Sequence, residues 1–124
     1  MPETDVLFYC DADGSAPVLE WLDELRRKDR RAFKKCEAAI ELLAMRGYEL
    51  RRPLADLLEN GIYELRARVG RVNYRILYFF HGRNIAVLAH GLTKERAIPP
   101  TDLNQAIERK RQFEANPDKH TYRE

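Results

Sequence analysis

Three β-prone runs follow one another between Asn60 and Lys94 with no helical stretch among them, and this block constrains the chain more than any other feature. In Gly61 to Val69 the side chains of Tyr63, Leu65, Ala67 and Val69 alternate with Glu64, Arg66 and Arg68, the period of a strand with one face buried. After Gly70, Val72, Tyr74 and Ile76 alternate with Arg71, Asn73 and Arg75, and the run then becomes apolar on both sides through Leu77-Tyr78-Phe79-Phe80. The first two runs therefore predict a hairpin with arginines on its open face. Beyond the turn His81-Gly82-Arg83-Asn84, Ile85 to His90 is apolar on both faces, as expected of a strand inside the sheet.

The flanking segments supply the cover. Val6 to Cys10 reads as a short first strand ended by Asp11-Ala12-Asp13-Gly14. Ser15 as N-cap and Pro17 in the first turn open a helix carrying Val18, Trp21, Leu22 and Leu25. Asp29 caps a second, with Phe33, Cys36, Ile40 and Leu43 at helical spacing and Gly47 as its stop. Residues 48–60 hold Pro53 and end in Asn60-Gly61, and read as a loop with one helical turn. Pro99-Pro100 break the chain, Thr101 can cap, and Leu103, Ala106, Ile107 and Phe113 mark a last helix ended by Asn116-Pro117. The pattern is α+β: a short N-terminal strand, a two-helix hairpin, an antiparallel three-strand meander joining that strand in one sheet, and a C-terminal helix. With 124 residues the chain is one domain, 1–124, of which 115–124 has the composition of a flexible tail. The helical hairpin should cover one sheet face and leave the other to the arginines.

Charge is distributed unevenly. Residues 61–100 carry seven Lys or Arg (Arg66, Arg68, Arg71, Arg75, Arg83, Lys94, Arg96) against Glu64 and Glu95, whereas the whole chain has a net charge of only +2. A concentrated positive field on one sheet segment is the footprint of a phosphate binder. Guanidinium groups match phosphate oxygens in a fork and stay charged, so Arg66, Arg68 and Arg75 suit an RNA backbone. On an open face these arginines should be replaceable with little loss of stability. The same permanence of charge makes them poor proton carriers, which limits their chemistry to stabilising charge that develops in a transition state. Glu64, His90 and Glu95 are the candidate acid or base groups, with Lys94 beside them; Glu64 next to Arg66 reads equally as a structural ion pair, and His90 as a hydrogen-bonded sheet histidine. Cys10 and Cys36 share no metal or redox motif, and neither carboxylates nor histidines cluster at ligand spacing, so no metal or other cofactor is expected. The acidic start Met1-Pro2-Glu3-Thr4-Asp5 and the lack of an apolar run near the roughly 18 residues of a membrane span predict a soluble, cytoplasmic protein.

The segments Gly61-Ile62-Tyr63-Glu64-Leu65-Arg66, Tyr74-Arg75-Ile76-Leu77-Tyr78-Phe79 and Leu88-Ala89-His90-Gly91-Leu92-Thr93-Lys94-Glu95-Arg96-Ala97-Ile98-Pro99, with Arg52-Pro53-Leu54 before them and Ala106-Ile107-Glu108-Arg109 after, resemble the phage-derived HigB-like branch of the RelE superfamily of toxins. The resemblance covers residues 5–114. It implies a type II toxin that enters the ribosome and cuts messenger RNA, and that is held inactive by a cognate antitoxin protein. It further implies that the family's basic residues fall on Arg66, Arg68, Arg75, Lys94 and Arg96, with Arg66, Arg75 and Lys94 catalytic and Arg68 and Arg96 binding RNA; the charge of the segment adds Arg71 to the RNA-binding group. The chain departs from RelE itself at Ala97-Ile98-Pro99-Pro100, where that toxin has a functional tyrosine. Two other readings stay open: a gyrase poison of the related ParE type, needing no catalytic groups, and an RNA-binding module without activity.

Overall fold

The computed structural model describes residues 4–94 and 96–123; Glu95 and the side chain of Lys94 lie outside the described residues. The elements run β1 (Asp5–Phe8), α1 (Pro17–Lys28), α2 (Arg30–Arg46), β2 (Ala55–Leu57), β3 (Tyr63–Val69), β4 (Val72–His81), β5 (Ile85–Lys94) and α3 (Pro100–Ala115). They form one mixed sheet in the order β1-β5-β4-β3-β2, antiparallel except where β1 runs parallel to β5. The α+β class holds, with one strand more than expected. That strand, β2, falls in the stretch read as a loop, because Ala55-Asp56-Leu57 has little strand propensity of its own and is recruited by the edge of β3. Asn60 and Gly61 take φ of +54° and +76° in the turn that joins them, and Ile62 N–H closes it on the Glu59 carbonyl at 2.9 Å. Only residues tolerant of left-handed backbone can occupy such a turn.

Asp29 caps α2 through its side chain, which accepts from the Ala32 N–H at 3.1 Å, as the sequence suggests. Ser15 and Thr101 do not cap. Helix α1 starts after Ala16, and the Ser15 hydroxyl is spent on Asp13 at 2.7 Å; α3 starts after Pro99. Helices α1 and α2 pack Val18, Leu22, Leu25, Cys36 and Leu43 against Leu65, Ala67, Tyr74, Ile76, Tyr78, Ala86 and Leu88 of one sheet face. Burial pushes the Cys36 thiol up to about 12, so it remains a protonated core group. Trp21 lies against β5 so closely that a Cβ at Gly91 would stand 2.5 Å from its ring. Gly91 thus lets the strand continue past His90, where sequence periodicity ends.

The opposite face is not left open to the arginines. Leu77, Phe79, Val87, Ala89 and Leu92 of that face pack with Ala106 and Phe113 of α3 and with Tyr9 and Ile62 in a second core. The physical reason lies in Leu77-Tyr78-Phe79-Phe80, which is apolar in both directions and needs cover on both. The basic residues keep only the end of this face that α3 does not reach.

The tail is also docked. Cys10 N–H donates to the His120 carbonyl at 2.9 Å, Tyr122 N–H to the Phe8 carbonyl at 2.8 Å, and Tyr9 bridges Thr121. His120 is buried, stacked on Tyr9 with ring centroids 5.3 Å apart. Polar composition predicted a free end, but the bare edge of β1 offers backbone groups that a passing chain can satisfy. Truncation after Asn116 should therefore remove the exchange protection of the Cys10 amide; unchanged protection in the shortened chain would show that the docked tail contributes nothing to it.

Tyr9 donates its hydroxyl to Gln112 Oε1 at 2.6 Å, and burial, reinforced by the charge of Asp11, pushes its pKa up to about 12. Because the folded value lies above the ordinary value of 10.0, the stabilisation is complete below about pH 10 and is lost as pH rises toward 12. Urea unfolding from pH 9 to 12 should show a falling midpoint whose slope is reduced in Tyr9→Phe; an equal slope in the variant would refute the assignment.

Candidate functional site

Alternation on β3 and β4 places Glu64, Arg66 and Arg68 opposite Leu77, Arg75 and Asn73, so all six share the face that α3 partly covers. On β5, Leu92 stands opposite Arg75 and Lys94 opposite Asn73. The covered half of this face is apolar and the remaining end is cationic. A single carboxylate organises it. Glu64, 4% exposed, holds Arg66 through Oε1 and Arg75 through Oε2, the latter at 3.2 Å from the Arg75 Nε. Arg75 is itself only 6% exposed and donates from Nη1 to the Arg96 carbonyl at 2.6 Å, tying the segment after β5 to the sheet. Arg75 is thus a buried member of a network, contrary to the expectation of a freely replaceable surface residue. Across the strands it stands between Arg66 of β3 and Leu92 of β5, and the Glu64 carboxylate and the Arg96 carbonyl meet its guanidinium.

Arg66 is the partly exposed member, with 37% of its side chain accessible, and its buried Nε has no hydrogen-bond partner among the described residues. Arg68 is exposed and folds back to donate from Nε to the Gly70 carbonyl at 2.9 Å. Arg71 stands exposed in the two-residue turn between β3 and β4, where Gly70 takes φ of +61°, and Arg96 is exposed beyond β5. Lys94 ends β5 on the same face by register, though its side chain lies outside the described residues, as does Glu95 altogether. The structure therefore brings together Glu64, Arg66, Arg68 and Arg75, with Arg71 and Arg96 at the margins.

His90 belongs to a neighbouring constellation. It pairs with Leu77 on β4, one row away from Arg75, and Leu92 intervenes on its own strand. Its Nε2 lies 2.7 Å from Asp102 Oδ1 and its Nδ1 lies 2.9 Å from Arg109 Nη1. A guanidinium can only donate, so Nδ1 must accept; the ring proton then sits on Nε2 and is given to Asp102. Both ring nitrogens are engaged in this neutral tautomer. Arg109 also donates to the Ala89 carbonyl at 2.8 Å and lies 5.8 Å from the centre of the Tyr9 ring. Burial draws its pKa down from the ordinary guanidinium value. These bonds clamp α3 onto β5.

Asp102 and Arg109 were not singled out from the sequence. The signal was present, since Asp102, Ala106, Arg109 and Phe113 recur at four-, three- and four-residue steps and so share one helix face. Two polar members on an otherwise apolar stripe mark groups that must find partners inside. Among the described residues no three His, Cys, Asp or Glu side chains gather where they could hold a metal ion.

Chemically, the uncovered end of the sheet can bind an anion through Arg66 with Arg68, Arg71 and Arg96 around it, on a base made rigid by Glu64 and Arg75. It offers charge stabilisation far more readily than proton transfer, because Glu64 is committed to two guanidinium groups. No curated protein matches the chain. A family model does, that of "Phage derived protein Gp49-like (DUF891)", over residues 20–111, from within α1 to near the end of α3 and so including every basic residue of the sheet site. The family lies in the RelE, toxin–antitoxin-related group and is associated with RelE-like endoribonuclease toxins. With well over half of its length matched, this chain belongs to the Gp49-like family of phage-derived proteins.

Proposed function

We propose that the protein is the toxin of a type II toxin–antitoxin pair, of the HigB-like kind, and that it cuts messenger RNA on the ribosome. The observation that carries this reading is the convergence of Arg66 and Arg75 on the buried carboxylate of Glu64 at the one end of the sheet face left without a helix. A cationic group braced in this way costs little further ordering when a phosphate arrives, which is what electrostatic stabilisation of a transition state requires. In the proposed step the 2′-hydroxyl of one nucleotide attacks the adjacent phosphorus. The P–O bond to the next nucleotide breaks, leaving a 2′,3′-cyclic phosphate and a 5′-hydroxyl. The hydroxyl's proton passes to water and the leaving 5′-oxygen takes one from water, while Arg66, supported by Arg75 and joined by Lys94, neutralises the charge gathered on the phosphoryl oxygens. Arg68, Arg71 and Arg96 hold the flanking backbone.

Neither Glu64 nor His90 is free to shuttle that proton among the described residues, since both are fully engaged. The reaction would then lean on alignment by the ribosome, and fixing an attacking group in line can supply on the order of 7–11 kcal/mol. The site of action would be the cytoplasm, where the ribosomes are; no helix among the described residues is long and apolar enough to cross a membrane. The partners are the ribosome with its message and a cognate antitoxin.

Expression in cells followed by mapping of RNA 5′ ends tests the reading. New ends should appear within translated frames and be absent outside them. Growth arrest with broken DNA and no new RNA ends would instead support the gyrase-directed alternative, and RNA binding with neither effect would leave an inactive module.

A further inference from the structure

A cluster of exposed side chains at the β2 edge of the sheet lies outside the site already described. Two large apolar residues there stand in water, Leu57 being 54% exposed and Tyr48 46%. Tyr48 follows α2 in a single tight turn, Gly47–Glu49, and its ring is fixed twice. It stacks on Phe80 with centroids 3.9 Å apart, and its hydroxyl donates to the Gly82 carbonyl at 2.9 Å. Tyr63 meets the same Phe80 ring edge-on at 5.2 Å. An exposed ring already held in place loses little freedom when a flat group is laid on it.

Tyr48, Leu57 and Tyr63 line a groove of about 520 Å³ together with Arg51 and Arg52. Arg51 is held through Nη1, by the Tyr48 and Leu50 carbonyls, and Arg52 through Nε and Nη2, at 3.0 and 2.9 Å from Asp56 Oδ2. Each guanidinium keeps a nitrogen without a partner among the described residues. Asp56, the one carboxylate among the lining residues, is engaged by Arg52, so the groove presents positive charge. Register joins the groove to the RNA site. Asp56 stands opposite Glu64, which sets the Arg52–Asp56 pair beside the Glu64–Arg66 pair, while Leu57 stands opposite Tyr63 and takes the other face. The groove thus begins where the cationic end of the sheet stops and turns round the β2 edge.

We propose that this groove is a nucleotide subsite for single-stranded RNA, in which a base stacks on Tyr48 and its phosphate is held by Arg51 and Arg52. A base brings a flat face with an anion beside it, which is what a fixed ring flanked by guanidinium groups matches. An apolar peptide would cover Tyr48 and Leu57 yet leave both guanidinium groups without an anion. The inference rests on the toxin reading only in making the strand the substrate: RNA held at Arg66 would pass Arg52 and cross β2, so the subsite would grip a nucleotide flanking the cut. Binding itself needs no cleavage.

A short 2′-O-methyl RNA serves as the probe, since its capped ribose oxygens cannot attack phosphorus. Titrated against the intact protein, it should shift the amide resonances of Tyr48 and Leu57 as well as those of Arg66 and Arg68. Tyr48→Ala should weaken binding by about tenfold and Tyr48→Phe should bind nearly as the parent; Leu57→Glu, at an exposed position, should weaken binding with circular dichroism unchanged. Strands made abasic at each position in turn isolate the stacking: one position should cost the parent about tenfold and cost Tyr48→Ala nothing. Arg51→Ala should lower the slope of log affinity against log salt by about 0.7, the share of one phosphate on a single strand. The proposal is overturned if the shifts stay at Arg66 and Arg68, if no abasic position matters, or if an uncharged apolar peptide occupies the groove and the RNA does not. New RNA ends in cells without these binding effects would sink the subsite and keep the nuclease, and groove binding without new ends would do the reverse.

Discussion

Glu64→Ala should destabilise the protein by about 3–5 kcal/mol, the usual cost of removing one partner from a buried ion pair. Both oxygens of Glu64 are committed, one to Arg66 and one to Arg75, and Arg75 is almost wholly out of water. Without the carboxylate, Arg75 keeps its bond to the Arg96 carbonyl, yet its charge would stand beside that of Arg66 with nothing between them. Against a typical domain stability of about 5–15 kcal/mol such a loss is severe. Urea unfolding reads it as a lowered midpoint at unchanged slope. Arg75→Ala should be destabilising for the complementary reason, leaving Glu64 with one partner. A Glu64→Ala midpoint within error of the parent would mean that the network does not support the fold.

Arg66→Ala should do the reverse, removing activity while sparing the fold. Glu64 retains Arg75 in this variant, and the lost side chain is more than a third exposed, so the change in stability should be about 1 kcal/mol or less. Cleavage should fall by about 100-fold or more, the usual effect of deleting one preorganised group that stabilises developing charge. Rates on ribosome-bound message, with circular dichroism as the control for folding, provide the comparison. An Arg66→Ala protein that is folded and cuts at the parental rate would assign the chemistry elsewhere.

Much of this arrangement is legible in the sequence, and the failures have physical causes. Strict alternation in Tyr63 to Val69 and Val72 to Ile76 suffices to pair β3 with β4 and to put Glu64, Arg66 and Arg75 on one face. Alternation says which face a residue takes but not what covers it. The return of α3 over Leu77 and Phe79 joins residues far apart in the chain, with the doubly apolar end of β4 as its local sign, and the burial of Arg75 goes with its bonds to Glu64 and to the equally distant Arg96 carbonyl. Strand β2 escaped notice because Ala55-Asp56-Leu57 is weakly β-prone, although Asn60-Gly61 announces the turn that creates it. The engagement of His90 was out of reach for the same reason as Arg75: Asp102 and Arg109 meet it only after α3 has docked.

Purified protein incubated with ribosomes carrying a defined message, in the presence of a metal chelator, tests the central claim most directly when parent and Arg66→Ala are run side by side with the same RNA free of ribosomes. The account predicts cleavage of the ribosome-bound message by the parent, at least about 100-fold less by Arg66→Ala, and little cutting of the free RNA by either. Equal cleavage of free and ribosome-bound RNA, or equal rates for the two proteins, would contradict it.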